Sequence, residues 1–153
     1  MAGVEARLKE LRIELPKAAA PVANYVPTVV VGNTLYVSGQ VSFWNGEVRY
    51  AGKLGKEISL EDGRAAARLC ALNILAQAQA ALGSLDRVKR VAMVQGFVNA
   101  VPEFTDHPKV INGASDLFVE VFGDAGKHAR FAVGAGSLPL NVAVEVAAVL
   151  EVA

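Results

Sequence analysis

Hydrophobic and polar positions change their period several times along the chain, and each change marks an element. Residues 3–12 alternate charged and apolar side chains at helical spacing until Leu15-Pro16 breaks the pattern. From Val26 to Val31 the chain becomes β-branched, Gly32-Asn33 is a two-residue hairpin signal, and Thr34 to Ser42 resumes the strand pattern. Asn45-Gly46 then separates Val41–Trp44 from Glu47–Tyr50. Asn-Gly adopts the positive φ angles of a type I′ turn, so a third strand is expected.

Ser59-Leu60-Glu61-Asp62 resembles a capping box, and Ala66, Leu69, Cys70 and Ile74 collect on one helical face before Gly83 ends the run. Val88 to Asn99 is apolar on both alternating faces, the pattern of a central strand. A second helix is expected to start at Asp106 as its cap, with Pro108 in its first turn and Val110, Ala114, Leu117 and Val121 in its stripe, and to stop at Gly123. Gly113 inside it costs about 1 kcal/mol relative to Ala. His128–Gly134 and Asn141–Val152 read as two last strands, joined around Gly136-Ser137-Leu138-Pro139.

The order is βββαβαββ, an α+β layer with two helices on one sheet face and an N-terminal helix added over residues 3–12. No repeat or linker divides the rest, so residues 16–153 read as a single domain. Two helices shield only one side of a sheet whose strands are apolar on both. The other side is therefore expected to pack against another copy of the chain, as a homo-oligomer.

Composition narrows the function. With 53% apolar and 20% charged residues the chain buries a substantial core, and its 15 basic and 15 acidic side chains cancel. No overall basic field favours a phosphate backbone, which argues against nucleic acid as the main partner. No stretch approaches the ~20 consecutive apolar residues of a membrane span, and the charged start lacks a secretory core, so a cytoplasmic protein is expected. One cysteine, Cys70, and two separated histidines supply neither a disulfide nor metal-ligand spacing; no metal and no cofactor are expected.

Arg130 and Glu145 each interrupt apolar strand sequence, and they stand symmetrically about the turn of the last hairpin, which would set them opposite each other. A bland reading is an ion pair fixing that hairpin. A functional reading is an anion receptor: the guanidinium forks onto a substrate carboxylate while the nearby acid handles protons or orients water. Spacing leaves both open.

The segment Arg130-Phe-Ala-Val-Gly-Ala-Gly-Ser-Leu-Pro-Leu-Asn-Val-Ala-Val-Glu145 resembles the C-terminal signature of the Rid/YjgF family, the reactive intermediate deaminases, also termed endoribonuclease L-PSP-like. Tyr25-Val-Pro-Thr-Val-Val-Val-Gly-Asn-Thr-Leu-Tyr-Val-Ser38-Gly39-Gln40 resembles its N-terminal signature. The resemblance implies a fold similar to bacillus-type chorismate mutase and a homotrimer with clefts between subunits. It also implies cofactor-independent hydrolysis of enamines and imines, 2-imino acids giving 2-keto acids and ammonia. Arg130 then matches the arginine that holds the substrate carboxylate, and Glu145 the acid that positions or activates water. Tyr25, Ser38 and Gly39 line the cleft, and Asn112 reaches it from a helix.

Some positions depart from the deaminase branch: Ala132 stands where cysteine is frequent, Asn112 is one residue further from Arg130, and the N-terminal helix is extra. His128 shares a strand face with Arg130, where an imidazole transfers protons near neutrality or sits as a hydrogen-bonded loop residue. His107 reads as a surface residue, Trp44 as packing of its hairpin, and Gly134-Ala135-Gly136-Ser137 as a turn rather than a phosphate loop. Three functions remain: the deaminase, an endoribonuclease or translation inhibitor, and a non-catalytic regulator that binds a small carboxylate.

Overall fold

In the computed structural model, residues 3–20 and 23–153 are described. Helix α1 spans Val4–Glu10. Strands β1 (Thr28–Val31) and β2 (Thr34–Val41) meet at Gly32, whose φ of 60° suits the tight turn. At the next turn Asn45 and Gly46 take φ values of 49° and 90°, the type I′ pair expected there. The strands they join, β3 (Phe43–Trp44) and β4 (Glu47–Val48), form a separate two-stranded ribbon instead of extending the main sheet.

Helix α2 (Leu60–Leu82) starts on the expected cap, with Ser59 Oγ accepting from the Asp62 backbone N–H at 3.1 Å. It ends on Gly83 at φ 81°. It is long and apolar enough to cross a membrane, but most of it is buried, so core packing accounts for its apolarity. Strand β5 (Val88–Asn99) follows, then α3 (His107–Phe122) and β6 (Ala129–Ala135). Asp106 occupies the cap position of α3 without a capping hydrogen bond; its carboxylate lies 3.6 Å from Lys109 Nζ. Strand β7 (Val144–Val152) closes the chain.

The main sheet has the order β1-β2-β7-β5-β6. This corrects the last hairpin: β6 runs parallel to β5, and β7 pairs with β2 and β5, never with β6. The 12-residue β5, apolar on both faces, takes the inner position between the two. The β5-α3-β6 unit is a crossover connection, which places the intervening helix on the sheet face. Arg130 therefore pairs with Val94 and Glu145 with Phe97.

Helices α2 and α3 cover one face, burying Leu35, Val91, Val94, Val98, Val146 and Leu150 completely. Leu8 of α1 joins the same core. The two helices cross where Gly113 of α3 meets α2, and a Cβ there would collide with the Arg64 carbonyl. The helix-propensity cost of this glycine thus permits the close approach. Gly113→Ala is expected to destabilise the fold by about 1–3 kcal/mol in urea unfolding despite alanine's better propensity, because the obstacle is backbone.

The opposite face stays open in the single chain. Val31, Tyr36 and Val133 on it are 60%, 49% and 42% exposed.

Candidate active site

The sequence-predicted residues fall into two groups, one at the β2–β7 bulge and one at the β6 edge, with β5 between them. The first surrounds a cavity of about 480 Å³ lined by Tyr25, Gly39, Gln40, Gln77 and Glu145, with Val41, Phe43 and Leu140 among its apolar walls. A β-bulge builds it: Val37 faces Ala148 and Gln40 faces Val146, so Ser38 and Gly39 together oppose Ala147. A Cβ on Gly39 would strike the Glu145 carboxylate, so glycine is what lets the acid lie across the bulge. Ser38 itself is not in the lining. Its hydroxyl donates to the Val26 carbonyl at 2.8 Å and its backbone N–H to Pro27 at 2.9 Å, holding the segment that carries Tyr25.

Gln40 entered only as the last residue of the Ser38-Gly39-Gln40 match, with no role given to it, and Gln77 was not singled out from the sequence. Gln40 Nε2 donates to the Ser38 carbonyl and Gln77 Nε2 to the Ala19 carbonyl at 2.8 Å. Carbonyls only accept, so both amide orientations are fixed, and the Gln77 bond straps the segment after α1 onto the cavity rim. Both glutamines are nearly buried, a signal invisible in sequence because they interrupt helix and strand as any surface residue would.

Desolvation raises the Glu145 carboxyl above its ordinary range. The folded chain therefore binds this proton more tightly than the unfolded chain. The resulting cost is absent in acid, where both states are protonated, and appears as pH rises through the raised value. Glu145→Gln is expected to match wild type at about pH 4 and to exceed its stability at about pH 8 in urea titrations. The Cys70 thiol lies fully buried, 3.4 Å from the Val144 carbonyl, and burial, with a smaller effect of Glu145, pushes it up. It stays protonated and is no nucleophile.

The second group lies on the helix-covered face at the sheet edge. Arg130 Nη1 donates to Ser115 Oγ at 2.9 Å and Nη2 to the Pro108 carbonyl at 3.3 Å, both on α3. Asn112 shares the stripe of Pro108 and Ser115, spaced by four and three residues. His128 Nε2 lies 2.9 Å from the same Ser115 Oγ. Ser115 had no signal of its own in the sequence, since a serine in a helix is ordinarily unremarked. His107 is half-buried, edge-on to Phe104, and borders a larger cavity of about 640 Å³ with Lys53, Lys56 and Gly134; none of the expected site residues lines it. Trp44 packs against the core and is absent from the Glu145 cavity.

Arg130 and Glu145 are thus not an ion pair, and they project from opposite faces with β5 between their strands. Among the described residues no cluster of His, Cys, Asp or Glu has the geometry of a metal site. What the fold and these two groups of residues define is a small α+β protein of the chorismate mutase-like kind, with a carboxylate cavity at the β2 bulge and an arginine cluster at the β6 edge.

Comparison with known proteins agrees. The chain belongs to the family described as YjgF/chorismate_mutase-like, putative endoribonuclease, whose model matches residues 5–152. It is 51% identical over 149 residues to Protein TCP17 of Trypanosoma cruzi, covering 97% of this chain and 93% of that one. A crystal structure described as a putative endoribonuclease from Shewanella oneidensis superposes with a TM-score of 0.95 at 38% identity, covering 99% of this chain and 100% of that one. RidA from the Antarctic bacterium Psychrobacter superposes with a TM-score of 0.62 at 30% identity, covering 92% and 98%.

Proposed function

We propose that the protein is a cofactor-independent deaminase of enamines and imines, converting 2-imino acids and water to 2-keto acids and ammonia in clefts between the subunits of a cytosolic homotrimer. The observation that carries this reading is the division of the site. Arg130 and Glu145, on opposite sheet faces, cannot serve one small substrate within a chain. The apolar face beside Glu145 is open for a second copy, whose edge strand would bring its own Arg130.

The chemistry asks little of the protein beyond placement. Arg130 holds the substrate carboxylate through the guanidinium donors it does not spend on Ser115 and Pro108. The imine carbon is already electrophilic. Glu145 takes a proton from the attacking water as the C–O bond forms, and returns it to nitrogen. The tetrahedral carbinolamine then loses ammonia: its hydroxyl proton passes through Glu145 to the amino nitrogen, the C–N bond breaks, and the oxygen becomes the keto oxygen. A carboxyl whose affinity for protons is raised by burial suits both directions of transfer. Gln40 and Gln77 have their amide groups tied back to carbonyls, leaving their oxygens as acceptors beside the amino or imino nitrogen.

The likeness to the structure described as RidA, together with the Rid/YjgF signatures around Arg130 and Glu145, supports the reading. RNA cleavage, in the family's own description, has less behind it here: Arg7, Lys109 and Lys127 each face an acid three residues away, and the net charge is zero. The deciding experiment is ammonia release from a panel of 2-imino acids generated in situ by an amino-acid oxidase. Faster release with the protein than without it is expected, most of all for apolar side chains that suit Val41, Phe43 and Leu140. No acceleration for any member would sink the proposal.

A further inference from the structure

We propose that Ser115 and His128 are positioning residues, a hydrogen-bonded chain that locks the guanidinium of Arg130 in the pose that receives a carboxylate. The inference rests on the carboxylate-binding role given to Arg130 above. An arginine on an edge strand has a neighbour on one side only, and its long side chain has many rotamers to lose on binding. A bidentate fork works only if its plane is set beforehand.

The direction of every bond in the chain follows from the atoms. A guanidinium only donates, so Ser115 Oγ accepts from Arg130 Nη1. The serine hydrogen must go elsewhere, and His128 Nε2 is 2.9 Å away. His128 Nδ1 lies 2.5 Å from the Gly126 carbonyl, which only accepts, so Nδ1 carries the ring proton and Nε2 is bare. The sequence runs from Arg130 to Ser115 to His128 to the Gly126 carbonyl, with the imidazole neutral. Burial foremost, and Arg130 in addition, lower the affinity of the ring for a second proton, against the Gly126 bond.

The far end is anchored. The imidazole stands edge-on to the fully buried Phe118, with centroids 6.0 Å apart at 86°. Gly126 presses on α3 so closely that a Cβ would collide with the Phe118 carbonyl. Of the two roles the sequence leaves to His128, this arrangement favours the hydrogen-bonded one. Both ring nitrogens are engaged inside the protein, so the imidazole is a brace and not a proton shuttle. Ser115 is likewise no nucleophile, because its oxygen is committed to the guanidinium.

The test is calorimetric binding of 2-oxobutanoate and of its uncharged amide to the assembled protein. Ser115→Ala, which removes a hydrogen bond to the charged guanidinium, and His128→Phe, which keeps the ring against Phe118 but leaves the Ser115 hydroxyl without its acceptor, are each expected to weaken 2-oxobutanoate about tenfold. Ser115→Thr, which retains the hydroxyl, is expected to bind within about twofold of wild type, and none of the variants to change amide binding. Wild-type affinity in Ser115→Ala and His128→Phe, with Arg130→Ala clearly weakened, would overturn the brace alone. Equal losses for acid and amide would overturn it as well, since they mark general damage. Should Arg130→Ala bind the acid as well as wild type, the carboxylate role falls and the brace with it.

Discussion

Arg130→Ala should lower ammonia release from 2-imino acids by about 10²–10³-fold, the range seen when one preorganised donor is removed from a reacting site. The loss should appear in kcat/KM and be far smaller for an imine lacking a carboxylate. Folding should survive: Arg130 is half-buried at the sheet edge, and its partners Ser115 and the Pro108 carbonyl are left near solvent when it goes. Arg130→Lys should recover little, because an ammonium is a point charge that reaches neither the Ser115–Pro108 pair nor both carboxylate oxygens at once. Steady-state kinetics on both substrates, with melting curves as the check on folding, decide it. An alanine variant that turns over the carboxylated imine at wild-type rates would remove Arg130 from the site.

Local signals in the sequence translated into structure where a single interaction decides the outcome. Ser59 capping, the Asn45-Gly46 turn and the Gly83 stop each depend on one backbone angle or one hydrogen bond, and all three are present. Strand order was not legible in the same way. The symmetric spacing of Arg130 and Glu145 holds equally for a hairpin and for two antiparallel strands with a third between them, and only the long apolar β5 seeking the sheet centre separates the cases. The eight-residue link 136–143 was the available hint, since it exceeds what a tight turn needs. Tyr25, Gly39 and Glu145 converge because a bulge at Ser38-Gly39 re-aims the strand, and Gly was the one visible trace of it. Ser115, Gln40 and Gln77 had no role readable from the sequence, although Gln40 ends the Ser38-Gly39-Gln40 match. Their roles arise from partners 15, 2 and 58 residues away, which periodicity does not address.

On the proposed assembly, Tyr36→Asp is expected to leave single chains at micromolar concentration and to reduce ammonia release by more than about 100-fold. Tyr36 lies on the face that α2 and α3 leave open, paired with Val29 on one side and Val149 on the other. A carboxylate buried there against a second apolar face loses its hydration, and an unpaired buried charge costs several kcal/mol in each copy of the interface. The neighbouring Val30 supplies the control. It is equally exposed, but it pairs with the buried Leu35 and so belongs to the other side of the sheet. Val30→Asp should therefore leave both mass and activity near wild type, separating loss of the interface from a general intolerance of charge in β1 and β2. Light scattering alongside the ammonia assay reads both quantities. A Tyr36→Asp protein that stays assembled would mean that this face is not the interface. One that is monomeric yet fully active would mean that Arg130 and Glu145 do not need to come from different copies. Loss of mass and activity together is the outcome that ties the open face, and the two half-sites on either side of the sheet, to a single catalytic arrangement.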